Sequence, residues 1–357
     1  MRLFSTVARP LVASLVIAAA LVSSLVGTAP VQSPALLAND GPARTTSPTG
    51  TVPASTADTG VKSAESPSTS MPTTTSSYYI HSASTTELAA DGAEAGRQAA
   101  KPGDNLVVLM FGCPVVSGTT QGAESYDGSY ASIPQIEAAT EAFITGYLDN
   151  ALPATHLSVV VGTSNYGNNV TTEHGAAWGA MMNDIFGWIT NYSLSSRVFA
   201  YGGNDIEGGW GPPSQAVAWV DAYHSATNIP LVNFGDTEGL PTTNDGGAVH
   251  AAYGWTFEDY WYVAGGSGKT LALPQIYNTT FAKEWYQLLR FSLTKTGYPP
   301  IEIIGVLTMQ KDAQQTGGGR TLSPGQAWKL FAGLINSDPQ TAQTPKFTTD
   351  IMKDWLP

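Results

Sequence analysis

The stretch 197-RVFAYGGNDIEGGWGPPSQAVAWVDAYHSATNIPLVNFGDTEG-239 is the segment on which the fold turns. It opens on the apolar run Val198–Tyr201, which ends in glycines and acids, and closes on a second run, 230-PLVNFGD-236, that ends the same way. Between them Pro212-Pro213 starts an amphipathic helix running to about Ser225, because a proline at the first helical position lacks only an amide that would have no partner there. Strand, acidic turn, helix and strand make a βαβ unit, which implies two parallel strands side by side.

The same order extends in both directions. The run 106-LVVLMFG-112 is continuously apolar, as expected of a strand covered on both faces. Ile133–Leu152 carries Ile136, Ala139, Phe143, Ile144 and Leu148 close to helical spacing. The strand 157-LSVVVGTSN-165 follows, then a helix from about His174 to Tyr192. Further on come a helix over Thr280–Lys295, the strand 301-IEIIGVLTM-309 and a helix over 323–335 with Ser323 as N-cap and Pro324 at its first position.

The segment 253-YGWTFEDYWYVAGGSGKTLALPQIYN-278 admits two readings. Either 260-YWYVAG-265 is the fifth strand and 271-LALPQIYN-278 a substrate-facing loop, or 256-TFEDYWYVA-264 is helical and Leu271–Tyr277 is the strand. Pro274 cannot donate to a ladder, which favours the first. Six strands then lie between Leu106 and Met309. The expected fold class is α/β, a (β/α)8 TIM barrel or a close variant, with 77-SYYIHS-82 and Leu271–Tyr277 as candidates for the two strands outstanding. The rival, an open doubly wound sheet, would carry G-x-G-x-x-G after the first strand, where 112-GCPVVSG-118 stands instead.

Residues 1–29 have the layout of a secretory signal: Arg2 and Arg9, the apolar run Leu11–Val26, then small residues. Pro30 is a poor residue to follow a cut after Ala29, so the same segment also reads as a membrane anchor. Residues 30–100 are read as a disordered linker, since much of their length is Pro, Ser, Thr and Ala and offers too little apolar surface to offset chain entropy. The barrel domain is then 101–357. A secreted or cell-surface monomer is expected.

Cys113 is the only cysteine of the 357 residues, which excludes an internal disulfide and a multi-cysteine zinc site. It reads as a space-filling thiol at a strand end. His81, His156, His174, His224 and His250 show no paired metal spacing, so no metal and no cofactor are expected. His174 near its helix start reads as a surface residue. A net charge of −12 with no basic cluster argues against a nucleic-acid partner. G-x-S-x-G does not occur, and 265-GGSGKT-270 reads as a loop rather than a phosphate cradle.

In a parallel barrel the working groups sit at the carboxyl ends of the strands. Asp205 and Glu207 share one strand end, and side-chain alternation points them the same way if the chain stays extended through Ile206. Asp236 and Glu238 repeat the spacing on the next strand. Crowded carboxyls raise at least one pKa, which a general acid needs, and two carboxyls flanking a bond suit glycoside hydrolysis. Glu207 is therefore the candidate acid, with Asp205 or Asp236 as base, nucleophile or charge stabiliser. Glu238, Asn165, Tyr166, Trp210, Trp261, Gln275 and Tyr277 are the candidate substrate-binding residues, the aromatics because sugar rings present apolar faces. Acid-glycine sequences after strands are also ordinary turn formers and helix caps.

The order strand, N-D-I-E, helix, strand, F-G-D, then W-Y-V-A-G and L-P-Q-I-Y resembles the glycoside-hydrolase-like TIM barrels of exported bacterial proteins. The D-I-E at 205–207 is also similar to the acidic motif of lysozyme-type muramidase barrels, which would make Glu207 the catalytic acid and Asp205 its partner. The resemblance spans roughly Leu106–Ile335 and implies a polysaccharide or peptidoglycan glycan as partner. It departs at Gly112-Cys113, where muramidases carry an acid. Three functional classes follow: an exported glycoside hydrolase, a non-catalytic glycan- or cell-wall-binding barrel on a stalk, and an adhesive or structural protein.

Overall fold

The computed structural model describes residues 70–99, 101–243, 247–318 and 321–354. The expected leader over 1–29 and most of the expected stalk lie outside them. In chain order the elements are β1 (Thr74–Tyr79), α1 (Thr85–Gln98), β2 (Gly103–Met110), β3 (Cys113–Ser117), β4 (Thr120–Glu124), β5 (Tyr130–Ser132), α2 (Ile133–Asn150), β6 (Thr155–Ser164), α3 (Thr172–Asn191), β7 (Val198–Asp205), α4 (Pro213–Ala226), β8 (Leu231–Asn233), α5 (Phe257–Trp261), β9 (Thr270–Ala272), α6 (Thr279–Ser292), β10 (Gly305–Thr308), α7 (Gln310–Thr316), α8 (Pro324–Ile335) and β11 (Phe347–Lys353).

Eight strands form one parallel sheet in the order β10-β11-β1-β2-β6-β7-β8-β9. Parallel bridges of Ala272 to Ile303 and of Gln275 to Leu307 bring its two edges together, so the sheet is a (β/α)8 barrel whose last seam is stitched at single residues. Alternation along the strands builds two apolar layers. Leu106, Val108, Met110, Val160, Val232, Phe234, Leu273, Leu307 and Ile351 fill the barrel. Val107, Leu109, Val159, Val161, Ala200 and Leu231 face the helices, where Trp178, Trp219, Trp285 and Phe331 are buried.

The remaining strands, β3, β4 and β5, form a small antiparallel sheet inserted after β2 at the carboxyl end of the barrel. His174 fastens it. This residue is fully buried, with Nε2 2.9 Å from the Gly122 carbonyl and Nδ1 accepting from Trp219 Nε1 at 3.0 Å. The indole N–H fixes the tautomer, so Nε2 carries the proton, and burial pushes the ring pKa down to about 4. The surface position expected for His174 is thus corrected.

Three further expectations change. The barrel begins by Thr74, not near Lys101, because the Ser/Thr-rich 74-TTSSYY-79 is β1, paired with both β11 and β2, and α1 packs behind it. Hydroxyl side chains suit an interior strand here because they are bonded: Ser77 Oγ is 2.6 Å from Thr349 Oγ1 and accepts from Val108 N. The segment 260-YWYVAG-265 is not a strand. Thr256 and Asp259 form a capping box that starts α5, and a π-helical turn over Tyr262–Gly266 continues it. The sixth barrel strand is β9, and Pro274 is tolerated just beyond it because its carbonyl, the one group it can offer, accepts from Leu307 N across the seam. The eighth strand, β11, falls where no strand was expected.

No helix among the described residues is long and apolar enough to cross a membrane.

Candidate active site

Strand alternation selects which acids enter the barrel mouth. Tyr201, Gly203 and Asp205 share the inner face of β7; Val232, Phe234 and Asp236 share that of β8 and its extension; Leu271, Leu273, Gln275 and Tyr277 share that of β9 and its extension. Gly203 is required by this packing, since a Cβ there would lie 2.5 Å from Val160 and 2.8 Å from Phe234.

Gln275 joins the acids. Its Nε2 donates to Asp205 Oδ1 at 2.7 Å and to Glu207 Oε1 at 3.1 Å, so these two carboxylate oxygens lie no further apart than about 5.8 Å, the sum of the two bonds. Asn165 fixes Glu207 from the neighbouring strand end, donating Nδ2 to its carbonyl and accepting from its amide, both at 2.9 Å. Asp236 accepts from the amides of Glu238 and Gly208, which ties the loop after β8 to the loop after β7. Gly208 leaves room for this: a Cβ would fall 1.9 Å from the Tyr260 hydroxyl, which donates to the Glu238 carbonyl.

Asp205 and Asp236 are only 3% and 4% exposed, whereas Glu207 is half-buried. Desolvation is the largest influence on all three. Burial and then the Glu207 and Asp236 charges push Asp205 well above the usual carboxylate range. Burial and then Asp236 push Glu207 up to about 8, against the donated Gln275 hydrogen bond. Asp236 rises to about 7 for the first of these reasons, with the Glu238 amide opposing and the Glu238 charge adding. A cluster of this kind holds protons at neutral pH and releases them in coupled steps.

Tyrosines surround the acids. The Tyr277 and Tyr79 hydroxyls are hydrogen-bonded to each other, and Tyr126 from the inserted sheet packs edge-on to Tyr79 with centroids 5.4 Å apart. Desolvation, then the neighbouring charges, hold the Tyr79 and Tyr277 phenols above the ordinary value, while Tyr126 is 48% exposed. Cys113 stands at this rim, half-buried beside Ser164, rather than filling the core. Burial pushes its thiol up, which disfavours a thiolate nucleophile.

The candidates therefore separate. Asp205, Glu207, Asp236, Gln275 and Tyr277 converge at the mouth, and Asn165 braces Glu207 through its backbone. Glu238 is exposed at the rim, where its carboxylate lies over Gly209. Tyr166 is 53% exposed and packs edge-on to Trp210 at 5.9 Å, so both remain available to a ligand. Trp261 does not: it is 4% exposed in the helical layer, packed on Gly266 and against Tyr298, because its segment is helical and faces the core.

Two functional neighbours escaped the sequence. Tyr79 lies in 77-SYYIHS-82, which the sequence offers only as a candidate strand. Glu284 on α6 is buried, accepts from the Gly239 amide, and is pushed up to about 7 by burial and then by Asp236. Its signal was an acid on the apolar face of a helix, one residue before Trp285 and four before Leu288. Among the described residues no group of three or more His, Cys, Asp or Glu side chains is placed to hold a metal ion.

No family model matches the chain, and no curated protein matches it. Among the solved structures that match, the chain is similar to that of "ZgEngAGH5_4 in complex with a cellotriose", at 7% identity and a TM-score of 0.32 over 76% of this chain and 80% of the other.

Proposed function

We propose that this protein is an exported glycoside hydrolase, with Glu207 as general acid and Asp205 and Asp236 as its ionisable partners. The observation that supports this most is the single Gln275 amide shared by Asp205 and Glu207 at the carboxyl end of a barrel. An acid with a pKa near 8 carries its proton at neutral pH and can deliver it to the leaving glycosidic oxygen as the C–O bond breaks. The partner group that has given up its proton then faces the positive charge that develops on the sugar ring, and water completes the hydrolysis. Because both bonds end on one nitrogen, the two bonded oxygens lie within about 5.8 Å of each other, short of the roughly 6.5 to 9.5 Å that admits water for inversion. If Asp205 is the partner, retention follows.

The test is release of reducing ends from a panel of neutral and peptidoglycan-type glycans by the intact protein and by Glu207→Gln. The proposal expects turnover in the first and a loss of at least about a hundredfold in the second. Equal turnover by both proteins would remove Glu207 from the mechanism.

A second reading, a non-catalytic glycan-binding barrel, draws on the near-complete burial of Asp205 and Asp236 and on Gly112-Cys113 in place of an acid after β2. Binding of a glycan with no product after long incubation, and no loss of binding in Glu207→Gln, would favour it. In either case the leader-like N-terminal segment would direct the protein out of the cell or hold it at the membrane surface.

A further inference from the structure

The antiparallel sheet inserted after β2 ends, between β4 and β5, in a tight turn over 125–129. Ser125 N donates to the Ser129 carbonyl and Gly128 N to the Ser125 carbonyl, both at 2.9 Å, while Asp127 Oδ1 accepts from Ser129 N at 3.1 Å and from the Ser125 hydroxyl. These polar groups are committed to the turn itself. Because His174 also holds the Gly122 carbonyl in the middle of β4, the turn has a fixed place on the barrel.

Tyr126, within this turn, is committed to nothing of the kind. It is exposed, and among the described residues no hydrogen bond engages its hydroxyl. Its ring meets Tyr79 edge-on, and Tyr79 is hydrogen-bonded to Tyr277, so two partly buried phenols back an exposed one. Tyr79 ends β1, which stands four places from β8 in the eight-strand order and therefore opposite the strand that leads to Asp236. Asp205, Glu207 and Cys113 lie within electrostatic reach of the Tyr126 phenol. A single exposed aromatic on a protein surface needs no explanation. One held by a braced turn at a barrel mouth, within reach of the acids, is placed to meet whatever enters.

The chemistry of the side chain narrows what that is. A phenol offers an apolar ring and a hydroxyl that both donates and accepts, with only two side-chain torsions to fix. A sugar ring offers the complement, an apolar C–H face bordered by hydroxyls. We propose that Tyr126 is a substrate-binding residue that packs on, and hydrogen-bonds to, the sugar seated over Glu207. The inference rests on the carbohydrate reading of the mouth. It makes the inserted sheet, and not only the loops after the barrel strands, a determinant of which glycan is taken.

The experiment measures binding of cellohexaose and chitohexaose to the full chain carrying Glu207→Gln, alone and with Tyr126→Ala, Tyr126→Phe or Val116→Ala added. Val116 is exposed on β3 of the same sheet, so its variant reads any sheet-wide effect. Tyr126→Phe keeps the ring contact with Tyr79 and removes only the hydroxyl, so it carries the test should the alanine variant lose stability. The expected result is binding of at least one hexasaccharide, weakened about tenfold or more by Tyr126→Ala, a few-fold by Tyr126→Phe and not at all by Val116→Ala. Unchanged affinity in both Tyr126 variants, or equal losses in Val116→Ala and Tyr126→Ala, would overturn the inference alone. Failure of both hexasaccharides to bind would overturn it together with the carbohydrate reading. Hydrolysis is read separately in the Glu207 protein: binding that responds to Tyr126 without any turnover would sink the hydrolase reading and leave this inference standing.

Discussion

Gln275 Nε2 lies 2.7 Å from Asp205 Oδ1, and both residues are buried, although they come from strand ends seventy residues apart in the chain. The same nitrogen reaches Glu207 at 3.1 Å, so one neutral donor serves two acids that repel each other. Replacing it with the similarly sized Gln275→Met removes both bonds. Hydrogen bonds to the ionised form lower a carboxyl pKa, so their loss moves Asp205 and Glu207 further up. The alkaline limb of a pH profile of kcat/KM is expected to shift to higher pH, with kcat reduced. An unmoved limb would mean that Gln275 does not tune the acids.

The cluster also makes stability depend on pH. Unfolded, these carboxyls titrate near 3.8 and 4.5; folded, Asp236 and Glu207 titrate at about 7 and about 8. Between these values the folded state binds more protons than the unfolded, so stability falls as pH rises through the window and the loss is complete above about 8. Glu207→Gln is expected to raise the melting temperature by several degrees at pH 9, at roughly 2–4 °C per kcal/mol, and to leave it nearly unchanged at pH 4. An equal effect at both values would contradict the assigned titration.

Two tryptophans should behave oppositely. Trp261→Ala leaves a cavity in the helical layer and is expected to cost about 3–5 kcal/mol in denaturant unfolding. Trp210→Ala is expected to spare stability by comparison and weaken glycan binding, because the indole stands at the rim against exposed Tyr166. The reverse pattern in paired unfolding and binding measurements would relocate the sugar platform.

The domain boundary is testable by truncation. A chain starting at residue 70 keeps β1 between β11 and β2 and is expected to unfold cooperatively, whereas one starting at Lys101 opens the barrel and exposes the interior edges. Cooperative melting of the shorter chain would refute a structural role for β1.

Much of this was legible where period and punctuation agree. The βαβ unit at 197–239 and the capping box at Ser323 carry their own stop and start signals, and Asp205, Glu207 and Asp236 follow from alternation along strands. Legibility failed where tertiary pairing overrides local composition. Thr74–Ser76 reads as linker, and 77-SYYIHS-82 only as a candidate strand, because the hydroxyls have no visible partner until Thr349 and Val108 are beside them. Pro274 argues against a strand only until the seam shows that its carbonyl is what is used. Gln275 was chosen as a ligand-facing residue, and its bond to both acids depends on two strands whose pairing no local signal specifies.

The central claim is that Glu207 holds a proton at neutral pH. Titration of its carboxyl carbon by NMR in the intact protein, assigned by difference against Glu207→Gln, measures this directly. The account predicts a midpoint near 8, coupled to a neighbouring step. A single midpoint near 4.5, the ordinary value for glutamate, would contradict it.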